Sequence, residues 1–163
     1  GGMSAKLRCG ASDLMLATGD LGTSRAIATD SMSGGLAAGQ EASCVQNVCN
    51  TGDATGYWPA LAYDRNGKLM AAWRDLHVGF AADDFESSDV EFGRGDGFAS
   101  LTVDVSHGGG SYMRMGADKD GAVIAHYNDT KTGGGIWVLR EAGGTWTRKR
   151  VVSAAIGEQI GFG

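Results

Sequence analysis

The stretch that decides the fold is GYWPALAYDRNGKLMAAWRD, Gly56–Asp75, because the chain repeats it. Shifting the sequence by 54 positions places GSYMRMGADKDGAVIAHYND, Gly110–Asp129, on it without a gap. Five positions are identical: Gly56/Gly110, Asp64/Asp118, Gly67/Gly121, Ala71/Ala125 and Asp75/Asp129. Two further positions keep their apolar or aromatic character, Leu69/Val123 and Trp73/Tyr127. A duplication of this length predicts an array of similar units.

Each copy has the pattern of two strands joined by a tight turn. The turn dipeptides Asn66-Gly67 and Asp120-Gly121 accept the positive φ angles of a two-residue hairpin loop. A second kind of hairpin occurs three times around Gly-containing turns, in segments 12–30, 88–106 and 135–153. The two kinds alternate along the chain. The sequence therefore predicts an all-β fold with two four-stranded antiparallel units, preceded by half a unit.

The Gly, Asp, Ala and aromatic positions shared by the two copies resemble the blades of bacterial extracellular β-propellers. The resemblance is to the sialidase-like or BNR-like superfold, including the propeller repeats of secreted myxobacterial proteins. It implies four-stranded blades arranged around a central channel. The Asp-box of sialidases, S-x-D-x-G-x-x-W, does not occur in the chain. The alternative architecture is a small sandwich or barrel built from the same hairpins.

The blade pattern divides the chain into five parts, and together they make an incomplete ring. Each blade buries its faces against its neighbours, so the remaining blades are expected from another chain or from copies of this one. A split gene, proteolytic processing or an engineered fragment would each produce such a piece. The parts are a half blade (1–30), a connection (31–55), two blades (56–106 and 107–156) and the start of a further strand (157–163).

Composition and charge bound the partners. The 163 residues include 28 Gly and a single Pro, and their formal net charge is −5. A nucleic-acid site needs clustered Lys and Arg, whereas the basic run Arg148–Arg150 follows a strand pattern and is interpreted as a solvated strand end. No apolar run in the sequence reaches the length of a membrane span. Neither a nucleic-acid partner nor a membrane span is expected.

The three cysteines are Cys9, Cys44 and Cys49. Cys44 and Cys49 lie five residues apart in a loop-like setting, where a turn can bring two thiols together, so a disulfide is predicted. A disulfide implies an exported protein, extracellular or periplasmic. Two reduced thiols in a cytosolic protein are the alternative. Cys9 is then either free or paired outside this chain.

Two long connections, 31–55 and 76–87, interrupt the regular units. In a propeller both kinds of connection emerge on the same face, so both belong to one rim. Loops held by a rigid scaffold commonly carry function. The candidate ligand-binding residues on this rim are His77, Asp83, Asp84, Glu86 and His107.

The same rim carries a candidate metal site. His77, Asp83, Asp84 and Glu86 offer ligands for Ca²⁺ or a transition metal. The spacing fits no EF-hand loop, and a solvated acidic loop explains the same residues.

Several other polar and sulfur-containing residues have structural interpretations. Asp75 and Asp129 recur at equivalent strand ends, which favours carboxylates that accept backbone N–H groups. His126 is expected to be a hydrogen-bonded or channel-facing histidine, and Met113 and Met115 are expected to pack on one face of a strand. Ser106 beside His107 lacks both a nucleophile elbow and an orienting carboxylate.

Two functional hypotheses follow. The first is an exported propeller segment whose looped rim binds a protein, a glycan or a small ligand without chemistry of its own. The second is a subunit or processed chain of a propeller enzyme, with an acidic and histidine site on the rim for metal binding or acid–base work.

Overall fold

The computed structural model describes residues 7–9, 14–18, 23–28, 44–45, 48–50, 55–75, 88–95, 98–99, 101–105, 108–128, 130 and 133–153. Throughout these residues the regular elements are β-strands, and none is a helix. The predicted all-β class is confirmed.

Two four-stranded antiparallel sheets form the centre of the molecule, each with its strands in chain order. The first sheet contains β6 (Thr55–Tyr63), β7 (Leu69–Asp75), β8 (Asp89–Arg94) and β9 (Leu101–Asp104). The second sheet contains β10 (Ser111–Ala117), β11 (Ala122–Asn128), β12 (Gly135–Ala142) and β13 (Thr145–Ser153). Both contain the predicted pair of hairpins.

An N-terminal hairpin precedes the two sheets, as predicted for the half unit. It consists of β2 (Leu14–Thr18) and β3 (Thr23–Ala28), which pair antiparallel. A small three-stranded sheet adds β1 (Leu7–Cys9), β4 (Cys44–Val45) and β5 (Val48–Asn50). The connection 31–55, in which no strand was expected, therefore contains β4 and β5. Their pairing needs partners that local sequence does not specify, since β1 lies parallel to β5.

The register of the small sheet bears on the predicted disulfide. Cys44 lies directly opposite Cys49 in the antiparallel pair, and Cys9 is the parallel partner of Asn50. Directly opposed strand residues have the Cα separation that a disulfide requires. The pairing of the thiols themselves remains a prediction, because the side chains of these strands lie outside the described part of the chain.

The turns that join the first two strands of each sheet differ in length. In the first sheet, three residues (Arg65–Gly67) separate Asp64 from Lys68; the backbone N–H of Asp64 donates to the Lys68 carbonyl at 2.9 Å, and Gly67 has φ +73°. In the second sheet, only Lys119 and Asp120 separate Asp118 from Gly121. Two-residue loops were expected at Asn66-Gly67 and at Asp120-Gly121. The first sheet instead has a three-residue loop. The second has a two-residue loop that lies one position earlier in the chain than expected.

This one-residue difference changes which residues correspond. Ala60 pairs with Ala72 in the first sheet, and Arg114 pairs with Ala125 in the second. The offset between the repeats is therefore 54 residues on the first strand and 53 on the second. Because side chains alternate between faces, such a shift exchanges the two faces of a strand.

The structural counterparts of Trp73 and Asp75 are consequently His126 and Asn128. The gapless alignment, which equated them with Tyr127 and Asp129, is wrong on this strand. Asp129 itself lies outside the described residues.

The two sheets pack face to face. At their interface the Phe92 and Trp146 rings meet edge-on with centroids 5.0 Å apart, and Arg94 Nη2 donates to Glu141 Oε2 at 2.5 Å. The first sheet contributes one side of β7 and β8: Met70, Ala72, Val90 and Phe92. The second contributes one side of β11 to β13: Ile124, Leu139, Glu141 and Trp146. Burial of this apolar surface is the main source of stability.

The opposite face of the first sheet is also covered. Ala71 and Trp73 are fully buried there, in one apolar cluster with Leu14 and Leu16 of the N-terminal hairpin. By contrast, the far face of the second sheet is covered unevenly: Tyr127 and Ile136 are buried, whereas Val123, Ala125 and Val138 are only partly buried. The hairpin and the two sheets therefore form three layers in chain order. The hairpin covers one face of the first sheet, and the second sheet covers the other.

Candidate functional site

At one end of the strands, the starts of β6 and β10 lie beside the ends of β7 and β11. We call this side of the stack the loop-bearing edge. Thr55 pairs with Asp75, and Asp75 pairs in turn with Asp89. In the second sheet Ser111 pairs with Tyr127 at the same edge. The residues that enter β6 and those that join β7 to β8 therefore leave from one edge, as expected from the sequence.

The predicted rim residues lie beyond what the structure describes. They are His77, Asp83, Asp84, Glu86 and His107. Among the side chains that are described, no group of three or more His, Cys, Asp or Glu residues has the arrangement of a metal site. The metal site, with Ca²⁺ or a transition metal, therefore remains a sequence prediction.

Three aromatic side chains occupy the loop-bearing edge: Tyr57, Trp58 and Tyr112, which we call the edge aromatic cluster. The ring centroids of Tyr57 and Trp58 are 6.1 Å apart with planes inclined by 48°. Those of Trp58 and Tyr112 are 5.5 Å apart with planes inclined by 45°. All three are exposed, with 40%, 40% and 58% of their surface accessible, respectively. Because β6 supplies two rings and β10 the third, the cluster exists only where the two sheets meet.

The backbone beneath the cluster has an unusual conformation at equivalent positions of both repeats. Gly56 and Gly110 have φ of +84° and +96°, and two residues later Trp58 and Tyr112 have φ of +46° and +52°. Positive φ is rare for bulky residues and concentrates at functional sites. The pairing of β6 skips from Tyr57 to Ala60, and that of β10 from Ser111 to Arg114. Each aromatic therefore lies in a bulge, a device that redirects a side chain.

Tertiary contacts explain why glycine stands before each bulge. A Cβ on Gly56 would lie 2.9 Å from Leu14 Cβ, and a Cβ on Gly110 would lie 2.9 Å from Arg74 Cβ. The preceding layer therefore presses on the backbone at the same point in both repeats. The close approach of the layers therefore requires glycine two residues before each exposed aromatic residue.

Arg74 links the two sheets underneath the cluster. Its guanidinium carbon lies 5.3 Å from the centroid of the Trp58 ring, a cation–π contact. Its Nη1 donates to Ser111 Oγ at 2.6 Å, and the residue is only 4% exposed. The Trp58 indole therefore lies against a buried cation that is itself hydrogen-bonded to β10.

A buried polar cluster behind Gly110 supports the same edge. The Gly110 N–H donates to His126 Nδ1 at 3.0 Å. His126 Nε2 faces Asp104 Oδ2 at 3.4 Å, and Arg148 Nη1 donates to Asp104 Oδ1 at 2.7 Å. His126 is completely buried, so the expectation of a hydrogen-bonded histidine is confirmed. Its position makes it a support for β10 rather than a reacting group.

The opposite edge carries the β6–β7 and β10–β11 turns, and each turn contains an aspartate whose carboxylate accepts backbone N–H groups. The Asp118 carboxylate accepts the N–H groups of Asp120 and Gly121 at 2.8 and 3.1 Å. These backbone hydrogen bonds, and then the nearby Arg140, hold the pKa of Asp118 below its usual value. Asp64 Oδ1 accepts the N–H groups of Asn66 and Lys68 in the longer turn. Both turn aspartates therefore act as structural acceptors.

Comparison of the chain with protein-family models, curated proteins and solved structures finds no match. Along the described part of the chain, no helix is long and apolar enough to cross a membrane. The functional assignment therefore rests on the site itself.

The edge aromatic cluster was missed by sequence reasoning, which concentrated on charged loop residues. A signal was available: in the duplicated stretch an aromatic residue follows the shared glycine by two positions, as Trp58 after Gly56 and Tyr112 after Gly110. Met113 and Met115, in contrast, pack in or against the core as expected.

Proposed function

We propose that the chain is a segment of a β-propeller whose loop-bearing edge binds a ligand and performs no chemistry of its own. The observation that carries this proposal is the edge aromatic cluster. Large rings are exposed side by side on a strained backbone, at equivalent positions of two repeats. Exposed aromatic patches held by a rigid scaffold are typical of binding surfaces.

The stacking of the layers supports the propeller part of the proposal. The first sheet uses one face against the N-terminal hairpin and the other against the second sheet, so each layer meets the next in the same sense. Repetition of one such heterologous contact produces a ring when the rotation closes. Val123, Ala125 and Val138 on the far face then dock against a further blade, from a second copy or from another chain. The blade pattern of the bacterial extracellular propellers agrees with this arrangement.

An exported location is part of the same proposal. The opposed register of Cys44 and Cys49 supports a disulfide between them. Such a bond persists in an extracellular or periplasmic setting.

Nuclear magnetic resonance with a library of neutral, ring-bearing organic fragments tests the binding surface. We expect fragment hits to shift the Trp58 indole Nε1–H resonance, with the effect lost in Trp58→Ala and weakened in Tyr112→Ala. Tyr63→Ala is the matched control, because Tyr63 is 68% exposed on the same strand but at the opposite edge. Hits that persist in both cluster variants, or that collect around Tyr63, would overturn the assignment.

A further inference from the structure

We propose that the edge aromatic cluster takes a neutral saccharide, with one pyranose ring stacked on the exposed part of the Trp58 indole. This inference rests on the proposed binding function and names the ligand class of the same surface. It is drawn from the arrangement of the rings, the charge behind them and the rigidity of their backbone.

The arrangement of the rings suits a small ligand with an apolar face and a polar circumference. Trp58 contacts both Tyr57 and Tyr112, and both neighbouring planes are inclined to it by more than 40°. The indole is 40% exposed and therefore offers a platform beside two inclined rings. Pyranose sugars present C–H groups on one face and hydroxyl groups around the circumference. The C–H face packs on the indole, and the two phenol hydroxyls offer hydrogen-bond donors and acceptors to the sugar.

The charge behind Trp58 selects against cationic ligands. Quaternary ammonium groups also bind to clustered aromatic rings, through attraction to the ring faces. Here the guanidinium of the buried Arg74 already lies over one face of Trp58. The attraction of the ring for cations is therefore already engaged by Arg74, which makes the indole a weaker site for a second cation. A neutral partner does not depend on that attraction and retains the dispersion and hydrophobic contributions of stacking.

The rigidity of the site supports recognition by shape. Trp58 and Tyr112 have positive φ, and Gly56 and Gly110, two residues before them, pack tightly against the preceding layers. The hydrogen bond from Arg74 of β7 to Ser111 of β10 further joins the sheet that carries Trp58 to the strand that carries Tyr112. A preorganised platform loses little conformational entropy on binding. Because the surface is exposed rather than enclosed, we expect affinities in the millimolar range for short saccharides, rising when several sites act together.

Titration of the ¹⁵N-labelled chain with cellotriose, chitotriose and choline tests the inference. We expect a saturable shift of the Trp58 Nε1–H resonance with at least one trisaccharide and none with choline, while the buried Trp73 resonance stays in place. Trp58→Ala should weaken saccharide binding about ten-fold or more. Trp58→Phe, which keeps a smaller platform, should lose less, and Tyr63→Ala should bind like the unaltered chain. Thermal melting of each variant separates loss of binding from loss of folding.

The outcomes distinguish the two proposals. If ring-bearing fragments bind at the cluster but neither trisaccharide does, the saccharide assignment is wrong and the binding surface stands. If neither fragments nor trisaccharides bind, both are wrong. A saturable choline shift at Trp58 would overturn the charge argument and replace the saccharide with a cationic ligand.

Discussion

The first and second sheets are built from the same duplicated stretch, yet their first turns differ in length by one residue. Three residues join β6 to β7, whereas two join β10 to β11. As a result the fully buried position filled by Trp73 in the first sheet is filled by His126 in the second. A tryptophan there packs, while a histidine also offers a ring nitrogen that accepts the Gly110 N–H. The comparison teaches that a turn far from the loop-bearing edge decides which side chain supports that edge.

The two sheets also differ in how they are covered. The first is buried on both faces, whereas the second is buried on the face toward the first and only partly on the other. On that other face Tyr127 and Ile136 are buried, whereas Val123, Ala125 and Val138 are partly exposed.

The largest effect is expected at the covered face of the second sheet. Leu139 is fully buried against the first sheet, and Leu139→Ala should lower the free energy of unfolding by about 2–5 kcal/mol through lost burial and a residual cavity. Val138→Ala, the adjacent residue on the far face, is the matched control and should cost about 1 kcal/mol or less. Urea denaturation measures both. Equal costs would contradict the proposed difference between the two faces.

A second large effect is expected at the glycine that begins the bulge in β10. Gly110→Ala adds both the strain of positive φ and a Cβ within 2.9 Å of Arg74 Cβ, so it should cost about 3 kcal/mol. Gly67→Ala is the control, because Gly67 also has positive φ but no atom within 4 Å of the added Cβ. It should cost only about 1 kcal/mol. Similar costs in thermal unfolding would mean that the contact with Arg74 does not constrain the bulge.

His126 tests the consequence of the shorter turn. His126→Phe removes the acceptor of the Gly110 N–H and the ring that faces Asp104, so it should cost about 2 kcal/mol. A double-mutant cycle with Asp104→Asn measures the coupling between the two side chains. We expect the combined cost to be smaller than the sum of the single costs. Strict additivity would show that the 3.4 Å contact carries no energy.

The smallest effect concerns the turn of the second sheet and depends on pH. Since the backbone hydrogen bonds from Asp120 and Gly121 hold the pKa of Asp118 in the folded chain below its usual value of 3.8, its charged form stabilises the fold above that value. This contribution is lost as the pH falls through the lower folded-state pKa. The difference in unfolding free energy between the unaltered chain and Asp118→Asn should therefore be constant from pH 7 to about pH 5 and shrink at lower pH. Urea titrations between pH 7 and pH 2 measure this difference in unfolding free energy. A difference that grows on acidification would contradict the stabilising role of the Asp118 carboxylate.

The hairpins were predictable because their signals are local. Gly143-Gly144 lies between the end of β12 and the start of β13, and the alternation of apolar and polar residues on either side is typical of a strand pair. The turn lengths were not predictable, since Asn66-Gly67 and Asp120-Gly121 are both good hairpin dipeptides. The bulges were not predictable either, because they depend on Leu14 and Arg74, which approach Gly56 and Gly110 from another layer.

The rim site predicted from charged loop residues and the edge aromatic cluster illustrate the same limit. His77 and its acidic neighbours stand out by residue type, but residue type alone does not specify where a loop places them. Trp58 and Tyr112 are 54 positions apart in the sequence, and only the stacking of the two sheets brings their rings together.

Two stacked repeats meet to form one aromatic surface at the loop-bearing edge. The most direct measurement is a nuclear Overhauser spectrum of the folded chain with assigned aromatic rings. The account predicts cross-peaks between Trp58 and Tyr112, together with cross-peaks between Phe92 and Trp146 from the sheet interface. Cross-peaks from Phe92 to Trp146 without any from Trp58 to Tyr112 would contradict the surface, and the absence of both would contradict the stacking itself.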